Sequence, residues 1–575
     1  MGCGLALGAL RRPVIFAATC ACRSWGTQVH AANTHRDVNK KENPMNVTSP
    51  SLNQHSIALP DTTPTASQAP IEISARRSYY VGRDRPIDFL YLSSHSKLTP
   101  DQHPLDSTQK KYINTDVLRH DKHVKFYQEI AYMSENGKPI GSSSNELVIE
   151  TGNRADKVTI KKGPGHSLIA TINNKPYQLN LLTSPDGSES QPLRIRTNGG
   201  DDCVLIDPEV KNAIRIELGA GNDYARAGAG DTRLYGGAGN DMLKLGSGDG
   251  IAFGNDGNDV LIAGTGNGVL KGNNGNDRMQ AGKGSADRRL FMDGGDGHDF
   301  MIVTRNDTQI PTVLHGGKGE NLIVTNGPAT IYTGRDKNIV RSDNDNTVIY
   351  AKPSDEVHRT PGSQRVHTQH SEVGKSGYVI EGSAEFVQNV EDDMELLRIS
   401  RQGKRMLGTA DAAAQRNDSP VRITELTEDN GSYYFSNAAI RNHLEAGHSM
   451  DTLAPAAQGF ITHQQAGAVA TGAQIQYNPS YSLDADSAPV NALYHEMAHA
   501  YNGASGTFLA GSTAIPENPD GEPNDERQAV GLFTVAQPFN FVGHPATEPS
   551  TTNPKPFSEN GFREEMRRPL RTTYT

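Results

Sequence analysis

Apolar side chains follow three successive patterns along the chain. From Ile71 to Asp186 they form short alternations, such as Leu147-Val148-Ile149, Val158-Thr159-Ile160 and Leu168-Ile169-Ala170-Thr171-Ile172, separated by Gly, Asn and Pro. A period of two between turn residues predicts β-strands joined by tight turns. Between Gly219 and Phe300 the period becomes nine, with Ala225, Leu234, Leu243, Ala252, Leu261, Leu270 and Met279 recurring. A stretch rich in Pro, His and Ser from Lys352 to Gly377 reads as a linker. Beyond it Val387, Val390, Met394 and Leu397 lie on one helical stripe, while residues 421–426 and Ala473 to Asn478 alternate as strands. The expected chain is multidomain: a disordered leader and secretion segment over 1–70, a β-rich region over 71–190, a parallel β-roll over 191–351, a linker over 352–377 and an α+β module over 378–575.

Composition narrows the picture. At 575 residues the chain exceeds what one core supports. Its 58 glycines and 35% hydrophobic content favour turn-rich β structure. Residues from Thr27 to Ala69 hold few large apolar side chains to offset the entropy of ordering, hence the disordered leader. The net charge of -10 gives no electrostatic case for nucleic acid and favours cations. Cys3, Cys20 and Cys22 fall in the leader, so Cys203 has no partner for a disulfide within the body. The apolar run after Arg11 and Arg12, Pro13 to Cys22, is too short for a transmembrane segment, which takes about 18 residues.

The nine-residue repeat carries chemistry. Asp223, Asp241, Asp259 and Asp277 end successive Gly/Asn-rich turns at a constant spacing of two nonapeptides. Glycines permit left-handed turn angles, the aliphatic position points inward, and each coil returns the chain to the same side. Coils stacked about 4.8 Å apart place the four carboxylates in one file, where they repel unless a cation intervenes. A hard ion taking six to eight oxygens, Ca²⁺ rather than Mg²⁺, suits such a file. The alternate half-coils carry Thr232, Gly250 and Gly268 at the sixth position, so one side of the roll looks loaded with calcium and the other largely empty. The segment Ser285 to Met292 interrupts the register. These residues resemble the RTX (hemolysin-type) repeat GGxGxDxUx, which implies a calcium-binding parallel β-roll.

Near the C-terminus, His495-Glu496-Met497-Ala498-His499 falls in a helix bounded by Ser487 as N-cap, Pro489 in the first turn and Gly503 as stop. Val490, Leu493, Met497 and Ala500 share one face, with His495 and His499 nearly opposite. Two imidazoles four residues apart suit one tetrahedral Zn²⁺, with Glu496 placed to act as general base. Asn502 and Ser505 stand where a metzincin would need Gly and His. A third ligand is sought among Glu517, Glu522, Asp525, Glu526 and His544, and Glu526 is favoured because Glu526 to Leu532 reads as a short helix, as in glutamate-type zincins.

His495 to Asn502, Asn524 to Leu532, and Ser558 to Met566 followed by Arg571-Thr-Thr-Tyr574 resemble the NleD-like type III effector zinc metalloproteases. That resemblance implies a zincin-like endopeptidase, secreted, delivered into a host cell and acting on a host protein. Arg571 and Tyr574 are similar to the Arg/Tyr pair near zinc in clostridial neurotoxin light chains, which implies oxyanion stabilisation. Two other readings stand beside this one. The first is a calcium-dependent surface or adhesion protein with an inactive metalloprotease-like module, against which the intact His495, Glu496 and His499 argue. The second is an RTX protein exported by a type I route, against which the roughly 275 residues after the repeats argue.

Overall fold

The computed structural model describes residues 70–74, 109–135, 138–183, 190–304, 309–426, 431–481, 488–543 and 547–574. The expected leader, Ser487 and His544 lie outside the described residues.

The upstream region is a β-solenoid of parallel coils flanked by antiparallel hairpins, and its strands form two sheets of 13 strands each. In one sheet Ala225, Leu243, Leu261, Met279 and Met301 stand in register. In the other, Leu234, Ala252, Leu270 and Met292 do the same. All are fully buried between the sheets, and each large aliphatic side chain contributes about 1.5–3 kcal/mol by leaving water. The nine-residue period is therefore the spacing between the two walls of one core. Successive partners Tyr224, Met242, Val260 and Arg278 keep the spacing of two nonapeptides. The next two coils are longer, with partners at Phe300 and Leu322, and the following two are shorter, with partners at Ile339 and Glu356. The insertion at Ser285 is absorbed on the loop side, where buried Arg288 donates to the Gly264 carbonyl at 2.9 Å. The strand Leu290–Asp293 then rejoins the sheet.

Two expected boundaries are not breaks in the structure. Strands from 109 to 180 extend the same two sheets through hairpins, and one apolar cluster runs from Ile73 to Ala351. Antiparallel hairpins and parallel coils both alternate with period two, so the pattern alone does not separate them. The supposed linker contains Glu356–Arg359 and Gln364–His367, which pair with Ile339–Ser342 and Thr347–Ala351 as the last coil. Its polar composition belongs to a sheet edge, which charged side chains such as Glu356 and Arg359 protect from further pairing.

The C-terminal region is α+β, with helices α1 (Ala384–Ile399), α2 (Arg401–Asn417), α3 (Ala438–Glu445), α4 (Pro489–Ser505), α5 (Asn524–Val530) and α6 (Glu559–Met566). Its sheet runs in the order Tyr378–Glu381, Val421–Glu425, Gly472–Tyr477, Gly431–Ser436. The strand expected at Ala473 to Asn478 is therefore interior, paired on both sides, and the outer strand next to it is Gly431–Ser436. Helix α4 starts from Ala488 without a side-chain cap and stops at Gly506, in the left-handed region at φ 65°. Gly503 lies inside the helix, where a Cβ would clash with the Tyr433 hydroxyl, so its glycine serves close packing rather than the stop.

The two regions share an apolar core. Outward positions of one solenoid sheet, Ile251, Phe253, Val269, Phe291, Val313 and Tyr332, cluster with Phe386, Val390, Met394 and Leu397 of α1. Across this seam the buried Lys271 ammonium reaches Asp393 at 2.7 Å, and Asp393 also accepts from the Tyr477 hydroxyl at 2.8 Å. Asn273 donates to Asp392 at 3.1 Å, and Arg233 donates to the Ser480 carbonyl at 2.9 Å.

Candidate functional site

Helix α4 is buried along nearly its whole length, so His495 and His499 face a covered centre rather than solvent. The i, i+4 spacing aims both rings the same way, and α5 brings Glu526 opposite them. His495 Nε2 lies 3.1 Å from Glu526 Oε2, His499 Nε2 lies 3.0 Å from the same oxygen, and the two nitrogens are 3.1 Å apart. These three form the one group of three or more His, Cys, Asp or Glu side chains able to share a metal ion among the described residues. Bonds of 2.0–2.1 Å to a tetrahedral ion set donor spacings of roughly 3.3 Å, close to this triangle.

The surroundings suit a dication. Glu559 of α6 lies 3.1 Å from His495 Nδ1, which accounts for the proton on that nitrogen and leaves the Nε2 lone pair for a ligand bond. Burial opposes charge on His495, but Glu526 and Glu559 outweigh it and raise the imidazole to about 10. Burial also opposes charge on Glu526, yet His499 and His495 hold it well below the usual carboxylate range. Glu559 falls to about 2 against its burial, through His495, Arg563 and Arg571. Buried carboxylates here draw positive charge from the imidazoles, and a bound cation meets the same demand without protonating its own ligands.

Glu496 sits beside the pair, pushed up to about 6 by burial. A Cβ on Gly431 would stand 3.1 Å from its Oε1, so the glycine at the start of the outer strand leaves room for this carboxylate. The tail closes the other side. The Tyr574 ring lies 6.2 Å from that of His495 at an interplanar angle of 22°, and Arg571 donates to Glu559 at 3.0 Å. Arg571 also binds the Tyr574 carbonyl, and the Tyr574 N–H donates to Glu522 Oε1 at 2.9 Å.

Among the other acids considered for the third position, Glu522 is buried and paired with Arg527, and Glu517 is exposed. Asp525, next to Glu526, is not part of the triangle. Glu559 is not singled out by its sequence context. The available signal is its i, i+4 spacing to Arg563, whose Nε donates to it at 2.6 Å.

In the solenoid, Asp223, Asp241, Asp259 and Asp277 do form one file, continued by Asp299. The Asp223 N–H donates to Asp241 Oδ1 at 2.8 Å, Asp241 to Asp259 at 2.7 Å, Asp259 to Asp277 at 2.8 Å and Asp277 to Asp299 at 2.9 Å. Each second oxygen, Oδ2, is buried with no hydrogen-bond partner. Burial raises these carboxyls to about 6 at Asp223, 8 at Asp241, 7 at Asp259, 7 at Asp277 and 9 at Asp299. Orphaned acceptors of this kind fit a hard, oxygen-seeking cation.

A β-solenoid with an aspartate file is thus joined to an α+β module with a buried His/His/Glu centre. Residues 374–574 match the Peptidase M91 family, described as effector protein, and residues 217–252 and 253–285 match the RTX calcium-binding nonapeptide repeat. The C-terminal region is thus an NleD-like Peptidase M91 effector domain and the solenoid carries RTX calcium-binding repeats. Comparison with curated proteins gave no match, and comparison with solved structures gave none. No helix among the described residues is long and apolar enough to cross a membrane.

Proposed function

We propose that the chain is a secreted, zinc-dependent endopeptidase that is delivered into a host cell, cleaves a host protein there and carries calcium in its β-roll. The observation that carries this reading is the convergence of His495 Nε2, His499 Nε2 and Glu526 Oε2 within 3.1 Å of one another, with Glu496 on the same helical turn as the two histidines. In this reading His495, His499 and Glu526 hold the zinc and Asp223, Asp241, Asp259 and Asp277 hold calcium. Zinc at the triangle supplies Lewis acidity toward the scissile carbonyl.

The rest falls to the chain itself. A Glu496 carboxylate oxygen takes the proton of the attacking water and hands it to the departing amine nitrogen. A pKa raised to about 6 leaves Glu496 ionised at neutral pH yet basic enough for that transfer. Tyr574 stays protonated, because burial and then Glu526 and Glu496 push its pKa up, so its hydroxyl is a donor for the developing oxyanion. Arg571 is engaged by Glu559 and by the Tyr574 carbonyl. Its part is to fix the tail and the acid behind His495, a positioning role in place of the direct oxyanion contact implied by resemblance.

The test is metal analysis of the purified chain joined to a proteome-wide cleavage screen. One zinc per chain and site-specific cleavage that Glu496→Gln abolishes are expected. A chain that takes up calcium but no zinc and cuts nothing would instead favour the adhesion reading.

A further inference from the structure

Downstream of Asp299 the aspartate file changes chemistry while its backbone hydrogen bonds continue. The Asp299 N–H donates to Asn321 Oδ1 at 2.7 Å, Asn321 to Asn338 Oδ1 at 2.9 Å and Asn338 to Asp355 Oδ1 at 3.0 Å. What differs is the second side-chain atom. At Asp241, Asp259, Asp277 and Asp299 it is a buried oxygen that receives no hydrogen bond. A Cβ on Gly236, Gly254, Gly272 or Gly294 would meet that oxygen at 2.3–2.4 Å and a carbonyl oxygen of the next coil at 2.4–2.7 Å. Two acceptors thus flank one spot in each of these coils; the carboxylate oxygen is without a donor in all four, and only at Asp299 does the flanking carbonyl, that of Gly316, already accept from an amide, Asn321.

At Asn321 the equivalent atom is an amide nitrogen, and it donates to the Gly316 carbonyl of its own coil at 2.6 Å. At Asn338 the amide donates to the Asp336 carbonyl at 2.6 Å. Asp355, in the last coil, is a carboxylate again. There Lys352 brings its ammonium to 3.1 Å from the carboxylate, 2.6 Å from the Gly334 carbonyl and 3.3 Å from the Thr333 hydroxyl. A carboxamide has the shape of a carboxylate without its charge and with two donors, and an ammonium is a cation carried by the chain itself, with three. Each satisfies buried acceptors that otherwise need an external ion.

We propose that Asn321, Asn338 and Lys352 are built-in substitutes for calcium, so that the file of ion sites ends at Asp299 and the coils from Leu322 to His367 fold without the ion. This rests on the reading that the aspartates bind calcium. It divides one continuous solenoid into an ion-dependent part and an ion-independent part. The second also anchors the catalytic region, because the Tyr332 hydroxyl meets Glu565 at 3.3 Å and Arg567 binds Asn346.

The experiment uses the full chain, with bound calcium counted by equilibrium dialysis and backbone protection followed by hydrogen exchange in calcium and in chelator. Chelation should lower protection at least about tenfold in the strands from Tyr224 to Val303 and leave Leu322–Thr325 and Ile339–Ser342 protected. Asp299→Asn should bind one calcium fewer and keep Phe300–Val303 protected in chelator. Asn321→Asp should bind one more and make Leu322–Thr325 depend on calcium. Uniform loss of protection along the whole wild-type solenoid on chelation would overturn the proposal. So would an Asn321→Asp chain that gains no calcium, or one that calcium does not refold. Absence of calcium from the wild type would instead reject the calcium reading underneath it.

Discussion

Glu559 shows how the candidate centre is built at the scale of single residues. It faces His495, Arg563 and Arg571 at once, so it fixes the His495 ring and links it to the C-terminal tail. Replacing Glu559 with Gln keeps an acceptor but removes the charge that orients the imidazole, and zinc affinity should fall about 10- to 100-fold in a chelator competition assay. Glu496→Gln should behave oppositely, holding zinc normally while cleavage drops by roughly 10²- to 10⁴-fold. Loss of the metal from that variant would make Glu496 a ligand rather than a base. A third contrast separates two nearby acids. Glu526→Ala should empty the site, whereas Glu522→Ala should retain zinc and lose turnover, because Glu522 holds Arg527 and the Tyr574 amide. His495, Glu496 and His499 are legible in sequence because one helical turn fixes their geometry. Glu526 is legible only as the acid of the next short helix. Glu559 lies 64 residues from His495, and nothing local tells a buried acid from a solvated one.

At the scale of elements, period is the most informative signal. The recurrence of Leu243, Leu261 and Met279 predicts both the stacking and the inward face, because a fixed coil length makes register a matter of counting. Where coils lengthen, as from Arg278 to Phe300, or shorten, as from Leu322 to Ile339, the count fails although the strands stack just as before. The C-terminal stop of α4 departs from expectation for a different reason: Gly503 serves close packing against Tyr433, and Gly506 supplies the left-handed turn. The aspartate file carries a pH prediction at this scale. Its carboxyls are raised in the folded, cation-free roll, to between about 6 and 9, so the folded state holds protons more tightly than the unfolded chain. Without calcium, stability should therefore fall as pH rises from about 4, the ordinary carboxyl range, through these raised values. Thermal unfolding in chelator should give a higher midpoint at pH 5 than at pH 8, with saturating calcium removing or reversing the order. A chelated roll equally stable at both values would mean that the carboxyls are not protonated in it.

Over the whole molecule, the sequence reads as a β-roll and an α+β module joined by a polar linker over 352–377, whereas the two regions share one apolar core. The seam is not legible in the sequence because it is written on outward-facing positions. Ile251, Phe253, Val269 and Phe291 look like ordinary strand residues until α1 is found packed on them. The seam also buries charge. Lys271 and Asp393 are 1% and 0% exposed, and the pair bridges the solenoid to Tyr477 in the interior of the C-terminal sheet. Removing one member of a buried pair strands the other, at a cost of about 3–5 kcal/mol. Lys271→Met should therefore lower the stability of both regions together, read as loss of hydrogen-exchange protection in α1 and in the strand Gly472–Tyr477 as well as in the strand Gly268–Asn274. Cleavage should fall at temperatures where the wild type is unaffected, and the isolated segment 378–575, with its α1 face uncovered, should lose protection in α1 relative to the full chain. If Lys271→Met leaves α1 and the C-terminal sheet as protected as before while the solenoid strand loosens, the seam is a passive contact and the two regions are independent after all.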